Sequence, residues 1–121
     1  MSGKPLLIVD DNPSNLKLLR VLLSGEGYEV RTALNAEEAL NALKSFLPSL
    51  ILMDIQMPGM DGLALTRLIK AAPATRAVPV VALTAYAMSG DEAKAKEAGC
   101  DAFVSKPIDT RTLPALIAKL M

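Results

Sequence analysis

The sequence predicts a single α/β domain built on a parallel sheet with helices on both faces. Three observations predict it. Runs that are apolar without alternation, residues 6–9 and 50–53, recur between stretches with helical spacing, and a strand lacking a polar face belongs in a sheet covered on both sides. Strand-like and helix-like stretches alternate five times, the pattern of repeated β/α units with right-handed crossovers. The chain has 121 residues, 51% apolar and 3% aromatic, enough for one core made mainly of Leu, Ile, Val, Ala and Met.

Leu6-Leu7-Ile8-Val9 is the first strand, ended by Asp10-Asp11-Asn12-Pro13. Asn12 caps the next helix, and Pro13 suits its first position, where no backbone N–H is needed. Leu16, Leu19 and Leu23 mark that helix's buried face, and Gly25 and Gly27 stop it. Residues 28–32 alternate as a second strand. Asn35-Ala36-Glu37-Glu38 has capping-box form, and the helix behind it carries Ala39, Leu40, Leu43 and Leu47 as far as Pro48. Leu50-Ile51-Leu52-Met53 is the third strand and ends at Asp54. A Pro/Gly loop over residues 57–62 leads to a third helix, marked by Leu65, Leu68, Ile69 and Ala72. Residues 78–83 form the fourth strand, ending at Thr84. Ser89-Gly90-Asp91-Glu92 is a further capping box, opening a helix in which charged residues alternate with alanines. Its apolar stripe is weak, so it is expected to be the least firmly packed. Residues 102–105 make the fifth strand, and Leu113, Leu116, Ile117 and Leu120 give the last helix a buried face. That helix reaches the chain's end, so residues 1–121 are read as one domain with no output domain.

Composition narrows the chemistry. Lys plus Arg equals Asp plus Glu at 13 each, with no basic run, so neither a nucleic acid nor an acidic membrane is an expected partner. No apolar run is long enough to span a bilayer and no signal peptide is legible, so a cytoplasmic location is expected. Cys100 is the single cysteine, which leaves no internal disulfide and no second thiol for zinc. The chain has no histidine, which removes Ser/His and Cys/His nucleophile pairs, imidazole metal ligands and phosphohistidine chemistry within the molecule.

In an open parallel sheet, sites form beyond the carboxyl ends of the strands. Those ends carry Asp10 and Asp11 after strand one, Asp54 after strand three, Thr84 after strand four and Lys106 after strand five. Asp61 and Asp109 are ordinary helix-cap positions. Taken singly, Thr84 is a strand-end hydroxyl and Lys106 a surface lysine. Three carboxylates on one rim need a positive counterpart, since two like charges about 4 Å apart repel by roughly 4 kcal/mol at an effective dielectric of about 20. Lys106 supplies part of it, and a hard divalent cation with oxygen ligands the rest. With charge so neutralised, Asp54 suits the role of nucleophile toward a phosphoryl group, with Thr84 as hydroxyl donor and Lys106 as point charge to its oxygens.

Val9-Asp10-Asp11-Asn12, Leu52-Met53-Asp54-Ile55-Gln56-Met57-Pro58, Asp61-Gly62, Leu83-Thr84-Ala85 and Ser105-Lys106-Pro107 closely resemble CheY-like response-regulator receiver domains, in the same order and over nearly the whole chain. The resemblance implies a flavodoxin-like (βα)5 doubly wound fold with strand order 2-1-3-4-5. It makes Asp54 the phosphoacceptor. It implies Mg²⁺, with Mn²⁺ as a substitute, held by Asp11, Asp54 and the backbone carbonyl of Gln56, with Asp10 acting through water. It places Thr84 and Lys106 on the phosphoryl group, with a cis peptide before Pro107. Phe103 matches the family's aromatic switch position, although on the sequence alone it is a core ring. Gln56 and Tyr86 match the variable positions that modulate dephosphorylation. Asp11-Asn12-Pro13-Ser14-Asn15 is similar to phosphorelay, hybrid-kinase and single-domain cell-cycle receivers, although Asn12 and Asn15 also serve as capping and polar helix residues.

The expected mechanism is phosphoryl transfer to Asp54 from a phosphohistidine on a histidine kinase or histidine phosphotransfer protein. Thr84 and Phe103 then move, and the face of helix four, strand five and helix five changes its affinity for a downstream protein partner. Such a domain is not an enzyme acting on a free substrate; it catalyses its own phosphorylation and dephosphorylation. Three alternatives are weaker. A haloacid-dehalogenase-type phosphatase has its acidic residues in another order and an Asp where this chain has Gln56. A flavodoxin-like FMN carrier needs a phosphate-cradling loop where this chain has Asp10 and Asp11. A receiver indifferent to phosphorylation would not need the full residue set.

Overall fold

A computed structural model describes residues 4–55, 62–84, 91–105 and 110–120. Five strands and five helices alternate: β1 (Pro5–Val9), α1 (Pro13–Gly25), β2 (Glu29–Ala33), α2 (Ala36–Leu43), β3 (Leu50–Asp54), α3 (Gly62–Ala71), β4 (Val80–Thr84), α4 (Asp91–Ala98), β5 (Ala102–Ser105) and α5 (Leu113–Leu120). The strands form one sheet in the order β2-β1-β3-β4-β5, and every neighbouring pair is parallel. This is the doubly wound flavodoxin-like arrangement, and the chain order reverses between β1 and β3.

The apolar strands are buried on both faces for the reason their sequences suggest. Leu6 and Ile8 of β1, with Leu50, Leu52, Val81 and Leu83, pack against Leu16, Leu19 and Leu23 of α1 and Leu113 and Ile117 of α5. Their alternates Leu7, Val9, Ile51, Met53 and Val80 pack on the opposite face against Ala36 and Ala39 of α2 and Leu65 and Ile69 of α3. A small third cluster joins Ile55, Ala82 and Ala95, and it is the one to which α4 contributes. Ala95 and Ala98 are the buried apolar side chains of α4 among the described residues, so the weak stripe expected for this helix is matched by thin packing.

The caps agree with the sequence where they are described. Asn12 accepts from Ser14 N at 2.9 Å with Pro13 in the first turn, and Asn35 accepts from Glu38 N at 2.8 Å. Glu38 reaches back to Leu34 N at 2.8 Å, completing the box one residue earlier than the cap itself. The box at residues 89–92 lies outside the described residues.

Several boundaries differ, each with a local cause. Helix α2 ends at Leu43 and does not run to Pro48, because its last turn tightens into Lys44 N to Asn41 O and Ser45 N to Ala42 O bonds, and the Ser45 hydroxyl also donates to Ala42 O. Leu47 is consequently 58% exposed, and the next ring, Phe46, takes the Arg31 guanidinium over its face at 4.5 Å. Leu68 is 47% exposed because Gly62, Leu65, Thr66 and Ile69 form the inward face of α3. It lines a hollow of about 730 Å³ between α2 and α3, with Leu40, Leu43 and Ala72. Strand β4 starts at Val80 because Pro79 has no N–H, and the Val80 N–H is taken by the Asp101 carboxylate at 2.9 Å. Strand β2 is displaced by one residue, since Tyr28 N closes the end of α1 by donating to Leu23 O at 3.2 Å.

Candidate functional site

Strand register brings the acidic residues together. Val9 of β1 is level with Met53 of β3, so the next residues, Asp10 and Asp54, emerge side by side at the point where the chain order reverses. Asp54 is level with Leu83 of β4, which puts Thr84 one step further along the same rim. Thr84 in turn is level with Ser105, the last residue of β5. The Asp10 N–H donates to Ala33 O at 3.1 Å and the Ile55 N–H to Leu83 O at 3.1 Å, so backbone pairing continues past the strand ends that carry the carboxylates.

Asp10, Asp11 and Asp54 each offer a carboxylate oxygen within 4.8 Å of the others. Asp10 is 0% and Asp54 2% exposed, whereas Asp11 faces solvent. Asp10 Oδ1 accepts from Asn12 N at 2.9 Å, and Asp10 Oδ2 accepts from Asn15 Nδ2 at 3.3 Å. Two opposed ligands of an octahedral Mg²⁺ lie about 4.2 Å apart, twice a bond of about 2.1 Å. Oxygens that all lie within 4.8 Å of one another are close enough to share one such cation, directly or through water. The donors are all hard oxygens, which fits Mg²⁺ and not a thiophilic metal.

Thr84 is fully buried at the end of β4. Phe103, taken as a core ring on the sequence alone, is only partly buried; it sits in the edge strand and packs against the Ile55, Ala82 and Ala95 cluster. Gln56, Asp61, Tyr86, Lys106, Pro107 and Asp109 lie outside the described residues, and with them the proposed cis peptide. Gly62 has a role that the sequence pattern understated. A Cβ there would meet the Asp54 carbonyl oxygen and come within 2.6 Å of Ile55 Cα, so only glycine lets α3 begin this close to the acidic strand end.

A second polar assembly, not anticipated from the sequence, lies where α3 ends and β4 and β5 begin. Lys70 Nζ donates to Asp101 Oδ2 at 2.8 Å, Val78 O at 2.8 Å and Arg76 O at 3.3 Å, three acceptors for three N–H groups. The Lys70 stem covers Gly99, whose φ is +109° and whose added Cβ would fall 2.8 Å from Lys70 Cγ. A lysine in the last turn of α3 and an acid at the end of an Ala-Gly-Cys-Asp turn are the faint signal in the sequence. Cys100 is next to this assembly, and its thiol lies 3.9 Å from Thr66 Oγ1. Burial pushes the thiol above the usual cysteine range, against the Thr66 hydrogen bond, which lowers it.

A flavodoxin-like sheet that gathers three carboxylates at its topological switch point carries its candidate site where such sheets place one. The family model for the response regulator receiver domain matches residues 6–118, and the chain belongs to that family. The polar-differentiation response regulator DivK of Brucella anthropi is 46% identical over 105 residues, which cover 87% of this chain and 85% of that protein. The receiver domain of a Pseudomonas aeruginosa sensor histidine kinase, solved with magnesium in its active-site cleft, superposes with a TM-score of 0.90 at 32% identity, covering 98% of each chain. The Vibrio cholerae chemotaxis protein CheY4 superposes with a TM-score of 0.93 at 25% identity, covering 99% of this chain and 100% of that one. This chain is thus a receiver domain of two-component signalling, a signalling module. Among the described residues no helix is long and apolar enough to cross a membrane.

Proposed function

We propose that the chain, residues 1–121 taken as one receiver, accepts a phosphoryl group on Asp54 from a phosphohistidine of a histidine kinase or histidine phosphotransfer protein. The observation that carries this reading is the convergence of Asp10, Asp11 and Asp54 at the switch point of the sheet. Asp11, Asp54 and the Gln56 backbone carbonyl would hold Mg²⁺, with Asp10 acting through water, and Mn²⁺ would be able to substitute. The cation, when bound, neutralises charge on the transferring phosphoryl oxygens. An Asp54 carboxylate oxygen attacks phosphorus as the donor's N–P bond breaks, and the imidazole leaves and takes up a proton from water. The Thr84 hydroxyl and the Lys106 ammonium would take the phosphoryl oxygens, Gln56 and Tyr86 would modulate hydrolysis, and the chain would act catalytically only on its own phosphorylation and dephosphorylation.

The readout follows from the packing. Thr84 is level with Ser105, two residues beyond Phe103, so movement of the Thr84 hydroxyl acts on β5 and on the cluster that Phe103 shares with Ala95 of α4. The α4–β5–α5 face then changes its affinity for a downstream protein partner. This is a cytoplasmic protein–protein system with no role for nucleic acid or membrane. Acetyl phosphate with Mg²⁺, followed by intact mass spectrometry, tests the reading. An acid-stable but base- and hydroxylamine-labile adduct of one phosphoryl group is expected, lost in Asp54→Ala and in EDTA. An adduct that persists in Asp54→Ala would refute it.

A further inference from the structure

We infer that Asn15 is a positioning residue for the cation site: its side-chain amide holds the buried Asp10 carboxylate in the orientation that faces the metal. The inference rests on the metal-dependent reading above.

Asp10 is held from the first turn of α1 at both oxygens, by Asn12 N at 2.9 Å and by Asn15 Nδ2 at 3.3 Å. It is 0% exposed, so protein neighbours and not bulk water set its rotamer. Asn15 is the third residue of α1, a position where an acid is ordinarily favoured by the helix dipole and by capping. Helix α2 shows the ordinary solution: its third residue is Glu38, which accepts from Leu34 N at 2.8 Å. Helix α1 departs from it, with no acid in its first turn. An acid at 15 would bring a fourth negative charge against Asp10. A lysine there would occupy the cation's place electrostatically. An aliphatic residue would withhold the donor from Asp10 Oδ2. A neutral amide is the side chain that orients the carboxylate without adding a charge to the site. Partners behind a carboxylate that ligates the metal directly typically contribute about tenfold or more in affinity, and behind one that acts through water, as Asp10 would, correspondingly less.

The test measures Mn²⁺ binding by electron paramagnetic resonance of the free ion, alongside thermal unfolding in EDTA. Asn15→Ala is expected to weaken Mn²⁺ binding about threefold or more, beyond the metal-free stability it costs by taking a donor from the buried Asp10 Oδ2. The Mg²⁺ concentration for half-maximal labelling by acetyl phosphate should rise by the same factor, while labelling at saturating Mg²⁺ stays near wild type. Asn15→Ser, which suits a first turn but does not reach Asp10 Oδ2, should show the same loss, and Asn15→Gln, which keeps the amide, should recover part of it. Mn²⁺ affinity within twofold of wild type in both Ala and Ser variants overturns the proposal, even if they are less stable. If the wild type itself does not bind Mn²⁺, the metal reading has failed first, and the role of Asn15 falls with it.

Discussion

Deleting one buried charge should make the metal-free protein more stable. Asp54→Asn keeps the shape of the side chain and one acceptor oxygen while removing its charge. Asp10 and Asp54 are 0% and 2% exposed, with carboxylate oxygens no more than 4.8 Å apart. Two unit charges at that separation repel by about 3.5 kcal/mol at an effective dielectric of about 20. Asp11 faces solvent, so its share is screened. Other partners of the two carboxylates offset part of the repulsion, leaving a net gain of about 2 kcal/mol for the variant. A chain of this size gains about 3–5 °C per kcal/mol, so the melting temperature in EDTA should rise by about 6–10 °C. Mg²⁺ should have the opposite ranking. At a hundred times its dissociation constant it stabilises the wild type by about 2.7 kcal/mol, and it should do far less for the variant, which has lost a ligand. Thermal unfolding followed by circular dichroism, with EDTA and with Mg²⁺, measures both quantities. A variant less stable than wild type in EDTA, or one with an undiminished response to Mg²⁺, would show that like-charge repulsion does not govern this rim.

Other perturbations probe other links. Gly62→Ala drives a methyl into the Asp54 carbonyl and Ile55 Cα, so it should lower stability by about 2 kcal/mol or more and slow acetyl phosphate labelling; a neutral result in both would refute the close approach. Lys70→Met leaves Asp101, Val78 O and Arg76 O without their shared donor and should cost about 2 kcal/mol in urea unfolding, with Asp54 labelling retained. Cys100 should react with iodoacetamide more slowly in the folded than in the unfolded protein, because its pKa is raised. An acid whose pKa is raised by folding stabilises fully below its unfolded pKa, so this contribution should disappear as pH rises through the folded value. Faster alkylation in the folded state would contradict the burial of the thiol. In hydrogen exchange, amides of α4 should exchange before those of α1; equal protection would contradict the thin packing of α4.

What was legible in the sequence was whatever depends on local pattern. The runs at β1 and β3 lack alternation, so their two-sided burial and parallel pairing follow, and the residues after them fall on one rim. Asp10, Asp11, Asp54 and Thr84 could be placed there because strand ends are positions in sequence. Less legible were features set by tertiary contact. Periodicity assigned Leu47 and Leu68 to buried faces, yet one follows a helix that Ser45 ends early and the other lies off the face formed by Gly62, Leu65 and Ile69. The Lys70–Asp101 pairing joins residues 31 positions apart and leaves no periodic trace. Asn15 was readable as part of a stretch similar to phosphorelay receivers or as a polar helix residue, and neither reading points to the carboxylate it touches.

The magnitudes at the two ends of the fold decide which element can respond to a change of charge at the acidic rim. Helix α1 is fixed by Leu16, Leu19 and Leu23, all buried, at about 2 kcal/mol each and so about 6 kcal/mol together. Helix α4 has Ala95 and Ala98, each a single methyl and worth about 1 kcal/mol at most. Its far end is held more firmly, since Asp101 ties the turn after it to Val80 and Lys70. An Asp10–Asp54 repulsion worth about 2 kcal/mol net, relieved by a cation or altered by a phosphoryl group, is comparable with what Ala95 and Ala98 contribute to holding α4 and well below what holds α1. The same charge change that leaves α1 and its Asn15 contact in place would, on the proposed reading, fall on α4 and its packing against Phe103, with the Lys70–Asp101 pair as the firmer end.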